Sequence, residues 1–370
     1  MKIGIVTFQR ADNQGALLQC YALYSYLKNL ERNTEVIDYR NNNIEKVYKI
    51  FPLSKNPKLM ARKWLKGICC YGELKRRHEN FERIRKKISF SSSMSISDIR
   101  QGSAVYDLII TGSDQVWNTD ITRGFDDVYY LNFSGNHIRA SYAASIGSTE
   151  NSDFDKDYFR NSISALDRIS VRENDAAEFI SRKTSKNVVQ CIDPTLLLDK
   201  SAWEKLSDET DIRLPERYIL LYYVQHNPDL LKIAEKLAKE RNIPVVCFEK
   251  SVKLDCEMIY NKTAGPAEFV KMIRNAETVV TSSFHATVFS CIFSRDIHII
   301  AHSVTGSRVI SLTEMFGIGK RIYSSYQDFE RKYSIDQKLE YNHDEYLVQL
   351  EKSENYLKEL IVLAGGKVNE

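Results

Sequence analysis

At 370 residues the chain is long enough for two domains of ordinary size. Hydrophobic residues make up 43% and charged residues 27%, near the globular average, which excludes a disordered or collagen-like chain. The net charge of +3 is small for this length and gives no reason to expect a nucleic-acid partner.

The run from Met1 to Phe8 is too short and too lightly apolar for a signal peptide and reads as a first strand, Ile3–Phe8. A polar loop, Asn13-Gln14-Gly15-Ala16, leads into a helical pattern over Ala16–Leu30, and Thr34–Tyr39 returns as a strand. Gly15 permits a tight turn or close backbone approach, so Asn13, Gln14 and Gly15 are candidates to contact a phosphate or a sugar. A capped helix start accounts for them equally well.

Residues 55–90 read as a basic insertion, in which lysines and arginines are interleaved with Leu59, Met60, Trp64, Leu65, Ile68 and Tyr71. A solvated helical segment explains this composition. The functional alternative is peripheral contact of residues 55–87 with an anionic lipid surface. Single-stranded nucleic acid is disfavoured because no RNA-binding signature accompanies the basic residues. Cys69 and Cys70 are adjacent, which suits neither a zinc site nor an ordinary disulfide, and a reduced, cytosolic chain is expected. No apolar run approaches the roughly 20 residues that span a bilayer.

Tyr106–Gly112 is a clear strand, followed by Ser113-Asp114-Gln115-Val116-Trp117-Asn118. Asp114 at a strand end can accept a proton from a substrate hydroxyl, and Trp117 can stack on a sugar ring. The plain alternatives are a helix cap for Ser113 or Asp114 and a core position for Trp117. Ala140–Ile146 and Ile169–Val171 are expected strands, and the second ends in Arg172. Arginine binds carboxylate and phosphate in bidentate fashion, or pairs here with Glu173, Asp175 or Glu178. A helix over Asn174–Ser181 and a strand over Val188–Ile192 follow, stopped by Asp193-Pro194.

The second half repeats the alternation: strand Tyr218–Val224, helix Asp229–Glu240, strand Pro244–Glu249 and helix Pro266–Asn275. Pro266 at the first helical position and Glu268 near the third mark a helix start, and Gly265 leaves room for a ligand to approach the backbone. Strand Thr278–Thr281 runs into Ser282 and Ser283, and His285 falls in the first turn of an apolar helix. The free N–H groups and dipole of a helix start favour an anion, and a histidine beside it can move a proton near neutral pH. After strand Ile297–Ala301, the segment Thr305–Val309 opens another helix ending near Gly317 and projects Arg308 at its start. Asp344–Leu363 carries an apolar stripe at helical spacing. No H-E-x-x-H, C-x-x-C or clustered Asp pattern argues for a metal.

Strands alternating with helices predict the α/β class, with parallel sheets covered on both faces. The expected architecture is two doubly wound Rossmann-like domains facing across a cleft, residues 1–200 and 201–343, with residues 344–370 packing back on the N-terminal domain. Ligands in such sheets sit at the carboxyl ends of the strands, where each of these polar clusters falls.

In this order, Asn13–Gln19, Gly112–Asn118, Ser170–Glu173, Asp193–Thr195, Gly265–Phe269, Thr281–Thr287 and Ser307–Val309 resemble the polysaccharide pyruvyl transferase family. The resemblance spans roughly residues 3 to 322. It implies a GT-B-like fold with the acceptor on the N-terminal side and the donor on the C-terminal side. It also implies transfer of the pyruvyl group of phosphoenolpyruvate to two hydroxyls of a sugar, giving a cyclic pyruvate ketal in capsule or exopolysaccharide biosynthesis, with no further cofactor. On that basis His285 is the expected acid and Asp114 the expected base. Arg172, Arg308, Ser282, Ser283 and Gly265 are donor-binding candidates, and Asn13, Gln14, Gly15, Ser113 and Trp117 acceptor-binding candidates. Some members carry an arginine just ahead of the histidine, where this chain has Phe284, so that charge is either missing here or supplied elsewhere, with Arg308 as the candidate. The basic insertion favours a lipid-linked oligosaccharide acceptor and a cytoplasmic protein peripheral to the inner face of the cell membrane. Two rivals share the fold: a glycosyltransferase using a nucleotide sugar, and a non-catalytic saccharide-binding relative.

Overall fold

Short runs of apolar and β-branched residues build a parallel sheet in each half of the chain, as expected for strands buried on both faces. The computed structural model describes all residues except 52–56, 96, 100–104, 134, 249–251, 301–305, 335–337 and 366–370. The chain divides into two compact units, the first comprising Met1–Tyr71, Phe81–Leu198 and Val348 onward, the second Gly72–Asn80 and Asp199–Leu347.

In the first unit, β1 (Ile3–Val6), β2 (Thr34–Val36), β3 (Leu108–Thr111) and β4 (Ile138–Ser141) form a parallel sheet in the order β2-β1-β3-β4. Ile3 lies opposite both Thr34 and Leu108, and Val6 opposite Thr111. β5 (Ile169–Val171) and β6 (Val188–Gln190) pair in parallel, and isolated bridges from Ala140 to Arg168 and from Ala144 to Val171 carry the order on from β4. The helices are α1 (Gln14–Leu30), α2 (Asn42–Tyr48), α3 (Pro57–Cys69), α4 (Tyr71–Arg85), α5 (Thr119–Thr122), α6 (Asp157–Ser164) and α7 (Asn174–Thr184).

The second unit holds α8 (Lys200–Asp208), β7 (Ile219–Tyr222), α9 (Pro228–Arg241), β8 (Val245–Cys247) and β9 (Met258–Tyr260). It continues with α10 (Pro266–Asn275), β10 (Thr278–Thr281), α11 (Phe284–Ile292), β11 (Asp296–Ile300), α12 (Gly306–Met315), β12 (Ile322–Tyr323) and α13 (Tyr326–Lys332). The sheet order is β12-β11-β10-β7-β8-β9, parallel throughout.

The last helix, α14 (Asp344–Leu363), packs its Val348-onward portion within the first unit. There the Ser353 hydroxyl accepts from the Ile192 N–H (3.0 Å), and the Tyr356 hydroxyl donates to the Ser141 carbonyl (2.9 Å). Residues 72–80 of α4 belong to the second unit, where Asn80 donates to the Thr263 carbonyl (2.8 Å) and Lys262 pairs with Glu73 (2.9 Å). The last helix thus lies with the first unit, where residues 344–370 are expected to pack, whereas the transfer of residues 72–80 departs from the expected boundaries, which kept them in the first domain.

Each sheet reverses its strand order once, between β1 and β3 in the first unit and between β7 and β10 in the second. The carboxyl side of such a reversal opens a crevice, because helices leaving the two strands go to opposite faces.

Candidate active site

In the second unit β10 ends at the reversal in Thr281, whose hydroxyl donates to the Tyr222 carbonyl of β7 (2.6 Å) and accepts from the Ser283 N–H (2.9 Å). Ser283 is the buried N-cap of α11, its hydroxyl accepting from the Ala286 N–H (3.4 Å). From Ala286 to Cys291 α11 is buried on every side, which fixes the helix and leaves only its start accessible. Ser282, Phe284 and His285 are left half-buried at that start. The Phe284 and His285 rings meet edge to face, with centroids 5.2 Å apart. Arg308 lies half-buried in the first turn of α12, which packs against α11. Thr305, part of the same motif, lies outside the described residues.

Gly265 is the N-cap of α10, and its N–H donates to Glu268 (2.9 Å), the glutamate half of a capping box. The second Glu268 oxygen accepts from Thr210 (2.8 Å). A Cβ on Gly265 would stand 2.6 Å from the Cβ of Asn80. The space expected beside Gly265 is therefore filled by α4, and the missing side chain serves helix packing.

In the first unit the carboxyl ends of β3, β5 and β6 share a buried polar cluster. Asp193 accepts from Arg172 Nη1 (2.8 Å), Ser113 Oγ (3.2 Å), the Thr195 N–H (3.0 Å) and Thr195 Oγ1 (2.6 Å). Arg172 Nε donates to Glu173 (3.1 Å). Burial opposes the Arg172 charge, but Glu173, Asp193 and Asp114 outweigh it and hold the guanidinium above its ordinary value. Of the three local partners expected for Arg172, Glu173 is taken. Asp193, which sequence reasoning did not assign, comes from the end of the neighbouring strand. Its only sequence signal is its place after β6, ahead of Pro194.

Asp114 stands half-exposed after β3 in a left-handed conformation (φ 75°), accepting from the Gln115 N–H (2.8 Å). Ser113, expected to touch the acceptor, is fully buried against Asp193. Trp117, expected to stack on a sugar, is also fully buried. Its Nε1 donates to the Tyr129 carbonyl (3.0 Å), and its ring stacks on Tyr130. Burial excludes Trp117 as a sugar platform, and its alternative reading as core is correct. Asn13 caps α1 through the Ala16 N–H (3.1 Å), with Gln14 and Gly15 buried behind it.

Among the described residues no group of three His, Cys, Asp or Glu could hold a metal ion, and no helix is long and apolar enough to cross a membrane.

The sequence model of a family described as polysaccharide pyruvyl transferase matches residues 13–303. Among solved structures, the chain resembles Methanocaldococcus jannaschii UDP-GlcNAc 2-epimerase in complex with UDP-GlcNAc and UDP, with TM-score 0.55 and 12% identity over 99% of this chain and 100% of that one. It also resembles the S. aureus MnaA–UDP co-structure, with TM-score 0.54 and 13% identity over 100% of both chains. UDP-GlcNAc 2-epimerase from Neisseria meningitidis bound to UDP-GlcNAc gives TM-score 0.50 and 10% identity over 100% of this chain and 95% of that one. At such identities the likeness concerns the fold alone, two Rossmann-like domains of the GT-B-like class. No curated protein matches the chain in sequence. The match over residues 13–303, on this fold, places the chain in the polysaccharide pyruvyl transferase family, as an enzyme that transfers the pyruvyl group of phosphoenolpyruvate to saccharide hydroxyls.

Proposed function

We propose that phosphoenolpyruvate binds at the start of α11 and that His285 supplies the proton for its reaction. The observation that carries this reading is the partly exposed His285 one turn beyond a strand that ends at the sheet reversal, at the start of a helix that is otherwise buried. The donor carries a carboxylate and a phosphate. Arg308, Ser282 and the helix start are assigned to them. Arg172 is assigned to hold the Ser113–Asp114 turn, since its guanidinium is buried against Asp193 and Glu173.

Protonation of the enol methylene by His285 makes C2 electrophilic. A sugar hydroxyl adds there and gives up its proton, and phosphate departs with the bridging oxygen. The second hydroxyl closes the cyclic ketal. Acid and base catalysis of this kind contribute about 10²–10⁴-fold each.

The acceptor is proposed to be lipid-linked. α3 exposes Trp64 (42%), Leu65 (62%) and Ile68 (65%) beside the exposed Lys58 and Arg62, a composition suited to an anionic lipid surface. Co-sedimentation with phosphatidylglycerol vesicles is expected for the native chain. It should be lost in a Trp64→Ala, Leu65→Ala, Ile68→Ala variant and be weak with phosphatidylcholine. Equal binding of native and variant chains would remove α3 from the contact.

The activity is tested by phosphate release from phosphoenolpyruvate in the presence of galactosides, mannosides and N-acetylhexosamines, with the ketal identified by mass. Thermal protection by a UDP- or GDP-sugar, with none by phosphoenolpyruvate and no phosphate release, would favour the nucleotide-sugar rival.

A further inference from the structure

We infer that Arg85 is the positioning residue for the loop that carries Asn13, Gln14 and Gly15, and through that loop for acceptor binding. The second half of this inference rests on the pyruvyltransferase reading. By composition Arg85 is one more cation of the basic insertion. In the structure it is 3% exposed at the end of α4, flanked by the fully buried Phe81 and Ile84. Its guanidinium meets the β1–α1 loop edge on: Nε donates to the Gln9 carbonyl (3.1 Å), and Nη2 to the Ala11 carbonyl (3.0 Å) and to Asp12 (2.7 Å). Nη1 is held by Glu82 (2.7 Å) from its own helix.

That loop is buried, with Gln9, Ala11 and Asp12 at 1%, 3% and 8% exposure, so its carbonyls need donors from the protein. From its other side the Gln9 amide donates to the Ile37 and Tyr39 carbonyls (3.3 and 2.8 Å), and Arg10 pairs with Asp38 (2.6 Å). Arg85 closes the circuit. The loop passes directly into Asn13, whose side chain caps α1, and into Gly15 in its first turn, at the carboxyl end of β1 where the sheet order reverses. A fork of N–H groups is required because the acceptors lie along two edges of the guanidinium, and the point charge of a lysine cannot reach them together.

The test uses the full chain with Arg85→Lys, Arg85→Gln and Asp12→Asn, and Arg160→Gln on an exposed helix position as control. Hydrogen exchange of the peptide covering residues 7–17 is expected to speed at least tenfold in both Arg85 variants and less in Asp12→Asn, with β10–α11 amides unchanged. The acceptor KM should rise at least tenfold, while the phosphoenolpyruvate KM moves less than twofold. Unchanged exchange of that peptide, or an equal rise in both KM values, would overturn the proposal. Exchange speeding throughout the first unit in Arg85→Lys as well as Arg85→Gln would also overturn it, showing a general structural role. If the native chain releases no phosphate with any acceptor, the pyruvyltransferase reading fails, and the exchange result alone still decides whether Arg85 holds the loop.

Discussion

Arg172 keeps its charge in the interior of the first unit because carboxylates converge on it, Asp193 at 2.8 Å and Glu173 at 3.1 Å. Both Asp193 oxygens accept, from Arg172, Ser113 and Thr195, so an asparagine there sets a buried N–H group against groups that also donate. Asp193→Asn is expected to cost about 3–5 kcal/mol of stability, read by denaturant melting. A variant as stable as the native chain would mean that the pair contributes nothing to the fold. Trp117→Ala is expected to cost about 3–5 kcal/mol through the cavity it leaves. His285 was legible in the sequence because a capping serine, a strand end and an apolar helix all lie within a few residues of it. The burial of Trp117 was not, because it depends on Tyr129 and Tyr130, a dozen residues on and packed by tertiary contact. The partner Asp193 was hidden for the same reason, reaching Arg172 only once β5 and β6 pair.

At the start of β11, Asp296 lies between Arg241 (3.2 Å), Arg321 (3.0 Å) and Thr278 (2.9 Å), with His298 at 3.7 Å. Burial disfavours its carboxylate, but His298, Arg321 and Thr278 more than offset this and hold it below the usual carboxylate range. A folded value below the unfolded one means stability that is present above about pH 3.9 and is lost as pH falls towards the folded value. His298, fully buried with Nδ1 against the Tyr323 hydroxyl (3.0 Å), is pushed down chiefly by burial. Its unfolded form takes a proton first, so its contribution is complete above about pH 6.5 and declines below it. Thermal melts should therefore fall between pH 7 and 5 and fall again below pH 4. His137, also lowered by burial, acts in the upper window, so the readout is the difference between native protein and His298→Gln. Identical slopes for the two would remove His298 from the account.

Gly265→Ala, forced against Asn80, is expected to destabilise by about 1–3 kcal/mol. Unchanged stability with weakened phosphoenolpyruvate binding would restore Gly265 as a ligand contact. Most long elements were readable from periodicity, and α10 and β10 have the bounds expected of them. β9 and β12 were missed because two or three residues carry no period. The strand expected over Thr34–Tyr39 stops at Val36, where the chain folds back through Tyr39 N–H to the Ile37 carbonyl (2.8 Å).

For the molecule as a whole, the alternation of strands and helices was enough to give two parallel Rossmann-like units, and the polar clusters fell at strand ends because that is where helices must be capped. The apolar stripe of the last helix was enough to expect it on the first unit, where Tyr356 meets Ser141. The place of residues 72–80 with the second unit was not legible, because it rests on contacts such as Asn80 to Thr263 that join distant stretches of sequence. The family of the chain fixes the reaction, and the reversal of strand order in each sheet fixes where to look for it.

The most direct measurement is acceptor-dependent phosphate release from phosphoenolpyruvate by the native chain and by His285→Gln, with donor binding followed in parallel by thermal shift. The account predicts release by the native chain, a loss of about 10²–10⁴-fold in the variant, and donor binding retained in both. Near-native turnover by His285→Gln would contradict it.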